Sequence, residues 1–340
     1  VVTVQEVAEV VIREIGQGRQ PVIGRVIGLK GFSTVPVDEL VAIDASGRQH
    51  GNLLGRPGAE RLVHEVAEMR KSPDSGLRVT TVDIHGPEVS ELGLACGGRA
   101  EVLLQSTASI PSELWALLAA RAPAALVTRI EGEGSGPTGL VVDGQGRAWG
   151  SLPGTPVQAE LVTQAASLLA SGHSGVTRVE SEAGVTLIES WVPSPRLVIV
   201  GSGEVVTATQ TQAGLLGWEA RFTEEVDELG DLLEWAGATA ALIVLSHNPH
   251  VDVPALSSGL RRNIPYVGAM GSRGTQSRRL ERLAADGIEP DLLDRIHRPI
   301  GLNLGGRKAP EVALAIVAEI LACHNGRDGR PLKEWSGPIH

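Results

Sequence analysis

Cysteine is almost missing from this 340-residue chain: Cys96 and Cys323 are the only two. That excludes a disulfide framework and points to a reducing, cytoplasmic setting. Aromatic residues make up only 3% of the sequence, and no apolar run approaches the roughly 18 residues a membrane-spanning helix needs. Positive charge is also scarce. The chain has 30 Lys and Arg against 40 Asp and Glu, a net charge of −10, which argues against nucleic acid or an anionic membrane surface as its partner. The first fifteen residues place Glu6, Glu9 and Glu14 among spaced apolar positions, the pattern of a helix rather than of a secretory leader. Glycine, by contrast, is abundant at 42 residues, as expected where tight turns and close backbone approach recur. With 42% hydrophobic and 21% charged residues the chain is a folded globular protein, long enough for two or three domains of about 100–200 residues each.

Residues 41–72 and 140–171 align without a gap, with 11 of 32 positions identical, among them Asp44/Asp143, Gly47/Gly146, Arg48/Arg147, Gly51/Gly150, Gly55/Gly154 and Pro57/Pro156. Each copy reads as a β-branched strand (Leu40–Ile43, Leu140–Val142), an Asp-x-x-Gly turn, a short second strand and a Gly/Pro corner. An amphipathic helix follows, with Leu62, Val63, Val66 and Met69, or Leu161, Val162, Ala165, Leu168 and Leu169, on its apolar face. Two copies are too few for a solenoid; a duplicated α/β unit with pseudo-symmetric halves is expected. Turn geometry accounts for most of the shared glycines. Between the copies, Cys96-Gly97-Gly98 enters a strand over 100–104. Either the glycines present backbone N–H groups to an anion beside an accessible thiol, or Cys96 is a small buried apolar residue at a bulge.

After Pro193-Ser194-Pro195 the pattern becomes strands alternating with helices: strands at Arg196–Val200, Trp218–Phe222, Ala241–Ser246 and Ile264–Met270, and helices to about Leu216, over Val226–Ala236, 275–285 and Pro310–Ala322. Apolar strands in that order form a parallel sheet covered on both faces. Gly201 and Gly203 follow the first strand and Glu224 the second, as in a Rossmann dinucleotide site, although Val206 stands where the third glycine belongs. Gly271, Ser272 and Arg273, and then Gly305, Gly306 and Arg307, form two further turns before helices, suited to an anion on the ligand edge of the sheet. In His247-Asn248-Pro249-His250-Val251-Asp252 the proline is expected to break the helix that a two-histidine metal site requires, leaving His247 and Asp252 as polar ligand contacts. His297 is placed on the same rim, and Cys323 is expected to be a packing residue of the last helix. The fold class is thus α/β: a C-terminal Rossmann-like doubly wound parallel sheet plus an N-terminal α/β domain built from a duplicated unit. The expected divisions are 1–105, 106–192, 196–325 and a tail at 326–340.

Three stretches, ELGLACGGRAEVLL at 91–104, YVGAMGSR at 266–273 and RIHRPIGLNLG at 295–305, resemble the XdhC/CoxI family of maturation factors for molybdenum hydroxylases. LVIVGSGEV and SHNPHVD fit more loosely, and the resemblance covers nearly the whole chain. It implies a chaperone without turnover of its own, which binds and protects the molybdopterin cofactor and delivers it to an apo-enzyme of the xanthine or carbon monoxide dehydrogenase type. A cysteine desulfurase-type sulfurating enzyme would be a second partner, and a homodimer the expected assembly. Two departures stand out. The family's first unit usually carries a cysteine in a Gly-Gly-Cys-Val-Glu run, whereas residues 51–58 contain none, and Glu204 replaces a usual histidine. Cys96 is then the expected soft contact to molybdenum or its terminal sulfur. A competing reading is an NAD(P)-dependent oxidoreductase using Gly201, Gly203 and Glu224, and a third is a scaffold that docks a dehydrogenase subunit.

Overall fold

The computed structural model describes all residues except 1, 31–38, 52, 72–75, 85–97, 132–138, 153–157, 173, 182–183, 335 and 337–340. Two compact units, Val1–Val192 and Pro193–His340, divide the chain. The first contains α1 (Val4–Gly16), β1 (Val22–Lys30), β2 (Leu40–Ile43), β3 (Gln49–His50), α2 (Gly55–Met69), β4 (Leu77–Ile84) and β5 (Gly98–Ser106). The same series then recurs as α3 (Glu113–Ala119), β6 (Ala124–Arg129), β7 (Gly139–Asp143), β8 (Ala148–Gly150), α4 (Gln158–Ala170), β9 (Gly175–Ser181) and β10 (Gly184–Trp191). The two antiparallel sheets have the same order, β3-β2-β1-β5-β4 and β8-β7-β6-β10-β9, so the duplication seen in the sequence is a duplication of the fold.

Local chemistry explains the repeat. Asp44 and Asp143 each accept two backbone N–H bonds through one carboxylate oxygen, from Ser46 and Arg48 and from Gln145 and Arg147, closing matched Asx turns. Gly51 and Gly150 sit at φ +103° and +87°. A Cβ there would lie 2.4 Å from the Leu40 carbonyl oxygen and 2.5 Å from that of Gly139. At these two positions, shared glycine means backbone crowding. Thr3 starts α1 with a reciprocal capping box to Glu6, and the helix buries Val7, Ala8 and Val11 against Leu114, Trp115 and Leu118 of α3 and against strands of both copies.

The copies also share a buried ion pair. Arg25 on β1 donates to Glu189 on β10 and to Gln105 on β5, each at 2.7 Å. Ile23 pairs with Ala42 and Gln105, and Leu126 with Val141 and Glu189. Ala42 and Val141 are equivalent in the repeat, so Gln105 and Glu189 are equivalent too. One arginine therefore serves the same position of both halves.

The second unit runs β11 (Arg196–Val200), α5 (Glu204–Leu215), β12 (Ala220–Thr223), α6 (Leu229–Ala236), β13 (Ala240–Val244), α7 (Pro249–Arg261), β14 (Tyr266–Ala269), α8 (Arg273–Ala285), α9 (Pro290–Leu293), β15 (Ile296–His297) and α10 (Ala309–His324). Its strands are all parallel, in the order β12-β11-β13-β14-β15. Strand alternation assigns the two faces. Val198, Val200, Leu242 and Val244 pack with α6 and α7, while Leu197, Ile199, Ala241 and Ile243 pack with α5 and α10. Val206, in place of a third glycine, is 2% exposed and belongs to that second core.

Three sequence expectations need correction. Pro249 does not break a helix but occupies the first turn of α7, where proline's fixed φ and missing N–H cost nothing. A fifth strand, β15, closes the sheet beyond the four expected. Cys323 is exposed rather than packed.

Candidate functional site

In a parallel sheet, ligands bind outside the carboxyl ends of the strands, where the strand order reverses. Here that point lies between β11 and β13. A pocket of about 340 Å³ opens there, lined by Gly201, Ser202 and Glu224 on one side and by Leu245, Ser246, His247, Asn248 and Val251 on the other. The volume lies within the usual range for small-molecule sites, about 300–1,000 Å³.

Each part follows from its sequence. Gly201 has φ +133°, and a Cβ there would lie 2.8 Å from the Ser246 nitrogen, so the ends of β11 and β13 can approach only around a glycine. Gly203, at φ +96° with open space beside it, ends the turn and begins α5, which has no side-chain cap. The first N–H groups of α5 therefore keep their capacity for an acceptor from outside the helix. Ser202 donates to Glu224 at 2.6 Å, fixing the carboxylate over the turn. His247 is exposed, and Asn248 caps α7 by accepting from the His250 N–H.

Asp252 is not a ligand contact. It is 1% exposed and accepts from Nε and Nη2 of Arg279 at 3.0 and 2.5 Å. Arg279 also donates to the carbonyls of Ser246 at 2.9 Å and Met270 at 2.5 Å. This buried pair ties together the ends of β13 and β14, and through the Ser246 carbonyl it anchors one residue of the pocket lining. Sequence inspection misses Arg279 because it sits among four arginines along one helix pattern, with nothing to mark it as the buried one.

The other two turns differ from the first. Ser272 caps α8 by accepting from the Thr275 N–H at 3.3 Å, with Gly271 at φ +139° and Arg273 exposed on the first helical residue. At Gly305-Gly306 the N–H groups of Arg307 and Lys308 donate to Glu311 Oε2 at 2.9 and 3.1 Å. Those two bonds hold the Glu311 carboxyl below its ordinary value. The acceptor at this turn is the chain's own glutamate.

His297 lies outside the pocket lining. It stacks on Tyr266 with ring centroids 4.4 Å apart and has Nδ1 3.5 Å from Glu319. Glu319 also accepts from the Tyr266 hydroxyl at 2.5 Å and from the Gly301 N–H at 2.9 Å. Burial pushes its carboxyl up, but these donors win and hold it below the ordinary value. Cys96 and Gly97 lie outside the described residues, and Gly98 begins β5, buried. Among the described residues, no three His, Cys, Asp or Glu side chains are placed to hold a metal ion, and no helix is long and apolar enough to cross a membrane.

The family model described as XdhC Rossmann domain matches residues 197–320, and that of the XdhC and CoxI family matches residues 117–180. The chain is 29% identical over 134 residues to the molybdenum cofactor insertion chaperone PaoD of Escherichia coli, covering 38% of this chain and 40% of that one. It is 23% identical over 250 residues to the E. coli protein YqeB, whose description is uncharacterized, covering 64% and 46%. The chain thus spans less than half the length of these curated relatives. A crystal structure described as a xanthine dehydrogenase from Bacillus halodurans matches over 98% of both chains with a TM-score of 0.53 at 19% identity, a likeness of fold alone.

Proposed function

The chain belongs to the XdhC and CoxI family, and from that premise we propose that it is a carrier and insertion chaperone for the molybdenum cofactor. The cargo is molybdopterin, and the recipient a molybdenum hydroxylase apo-enzyme of the xanthine or carbon monoxide dehydrogenase type. A sulfurating enzyme of the cysteine desulfurase type, a homodimeric assembly and a cytoplasmic setting belong to the same proposal. The similarity to the insertion chaperone PaoD carries it.

The site chemistry supports the carrier role. The uncapped start of α5 beside Gly201–Gly203 offers backbone N–H donors and a positive helix end to the cargo's phosphate. Arg273 and the turn at Gly271 and Ser272 supply a second set of donors on the same sheet edge. Cys96 would be the soft ligand to molybdenum or its sulfur.

The test is purification of the chain with excess molybdopterin. Near-stoichiometric retention of the pterin is expected, and none retained would contradict the proposal. Cys96→Ser is expected to lose bound molybdenum while keeping the pterin; full retention of both removes Cys96 from the site. The Ser202–Glu224 pair favours one second reading, a nicotinamide nucleotide used for hydride transfer. Calorimetric titration that stays flat with all four nicotinamide nucleotides would dispose of it.

A further inference from the structure

The first unit buries an ion pair that the carrier reading does not use. Each copy of the repeat has a core of its own, around Leu62 and Val66 in the first copy and around Leu161 and Ala165 in the second. A third apolar cluster, with Ile23, Trp115, Leu126 and Val141, draws on both copies and forms the seam between them. Arg25 and Glu189, each 2% exposed, bridge that seam.

The strand register shows that the bridge is one-sided. Ile23 and Leu126 hold equivalent places on β1 and β6, so Arg25 and Thr128, each two residues further along the same face, are equivalent as well. The first copy therefore brings a guanidinium and the neutral amide of Gln105 to the seam, and the second brings a hydroxyl and the carboxylate of Glu189. Thr128 is fully buried, and among the described residues its hydroxyl has no hydrogen-bond partner. Arg25 donates through Nη2 to the amide of its own copy and through Nε to the carboxylate of the other.

An interface that arose by duplication can in principle close on a second copy of itself. Two first copies paired in this way would bury two guanidinium groups with no carboxylate. Two second copies would bury two carboxylates with no cation. A buried charge left without its partner is strongly destabilising, so only unlike copies neutralise the seam. We propose that Arg25 and Glu189 form a charge key, which makes the seam face of each copy accept the other copy and reject a second copy of itself. The interaction surface is the seam, and its partner is the complementary copy rather than the like copy of a neighbouring chain. Misassembly between neighbours is a characteristic failure of chains built from repeated units. Choosing among competing arrangements is also the best attested use of a buried polar group, which is seldom a source of net stability. The key goes beyond the carrier reading and depends on no cargo.

The experiment is refolding of the full chain from urea at rising protein concentration, with the products sized by chromatography and light scattering. The parent is expected to recover its native species to the same extent at every concentration. The double variant Arg25→Leu with Glu189→Leu removes the key while keeping the seam apolar. Its native species is expected to have a urea midpoint no lower than the parent's, while its recovery falls with concentration as interchain products form. The unchanged midpoint separates mispairing from aggregation of a weakened fold. Recovery by the double variant that matches the parent's at every concentration overturns the inference. If that variant folds poorly, the decision falls to Arg25→Glu with Glu189→Arg, in which either like pairing again buries like charges. Parent-like recovery is expected for the reversed key, and a concentration-dependent loss of native species overturns the inference.

Discussion

Two glycine turns that look alike in the sequence, Gly201-Ser202-Gly203 before α5 and Gly305-Gly306-Arg307 before α10, have opposite states in the fold. At the second, Glu311 fills the backbone N–H groups; at the first, no side chain caps the helix. The difference comes from one residue's position. A glutamate at the third position of a helix can reach back to the cap, as Glu311 does in α10. In α5 the residue at that place is Val206, turned into the core at 2% exposure. A glycine turn before a helix is thus a potential anion site only when its own helix has nothing to close it.

The comparison can be broken most severely from below. Arg279→Met leaves Asp252 charged, buried and unpaired, and is expected to cost about 3–5 kcal/mol of stability, read as a lower urea midpoint, with loss of ligand binding because the Ser246 carbonyl loses its tether. A smaller penalty, about 2–3 kcal/mol, is expected for Gly201→Ala, which combines an unfavourable φ with a clash against the β13 extension. Gly305→Ala has the φ cost without the clash, since nothing lies near its Cβ. About 1 kcal/mol is expected there, with ligand affinity unchanged; equal losses in the two alanine variants would erase the distinction drawn between the turns.

The mildest test is Glu311→Ala. It should lower the melting temperature slightly and open the α10 turn to added sulfate, which should then stabilise the variant more than the parent. Because the folded Glu311 carboxyl lies below its ordinary value of 4.5, its capping contribution is complete above that pH and disappears as the pH falls through the folded value. The melting-temperature gap between parent and variant should therefore be constant at neutral pH and close in acid. A gap that widens in acid would contradict the assignment of Glu311 as the ionised cap.

Much of the architecture was legible because it rests on local periodicity. LVIV at 197–200 and ALIVL at 241–245 are continuous apolar runs buried on both faces, and β2 coincides with the strand read from Leu40–Ile43. The duplicated unit was legible because its turns need the same Asp and Gly residues twice. What stayed hidden depends on partners far apart. Arg25 and Glu189 meet across 164 positions, and Arg279 and Asp252 across 27, with no spacing rule to join them. The helix α7 was obscured by Pro249 and Pro254, one at its start and one inside it. At the site, Gly201, Glu224 and His247 line one pocket, with Gly203 in the turn beside it. Gly305 and Gly306 did not reveal that Glu311 would occupy their turn, because Lys308 stands where a capping box has Ser or Thr and only the glutamate half of that motif is present.

Hydrogen–deuterium exchange of the chain with and without molybdopterin tests the central claim most directly, because it reports which backbone N–H groups the cargo engages. Slower exchange at residues 203–207 and 245–248, with residues 305–311 unchanged, is the expected result. Protection at 305–311 with none at 203–207 would contradict it, and would place the cargo at the turn that Glu311 closes.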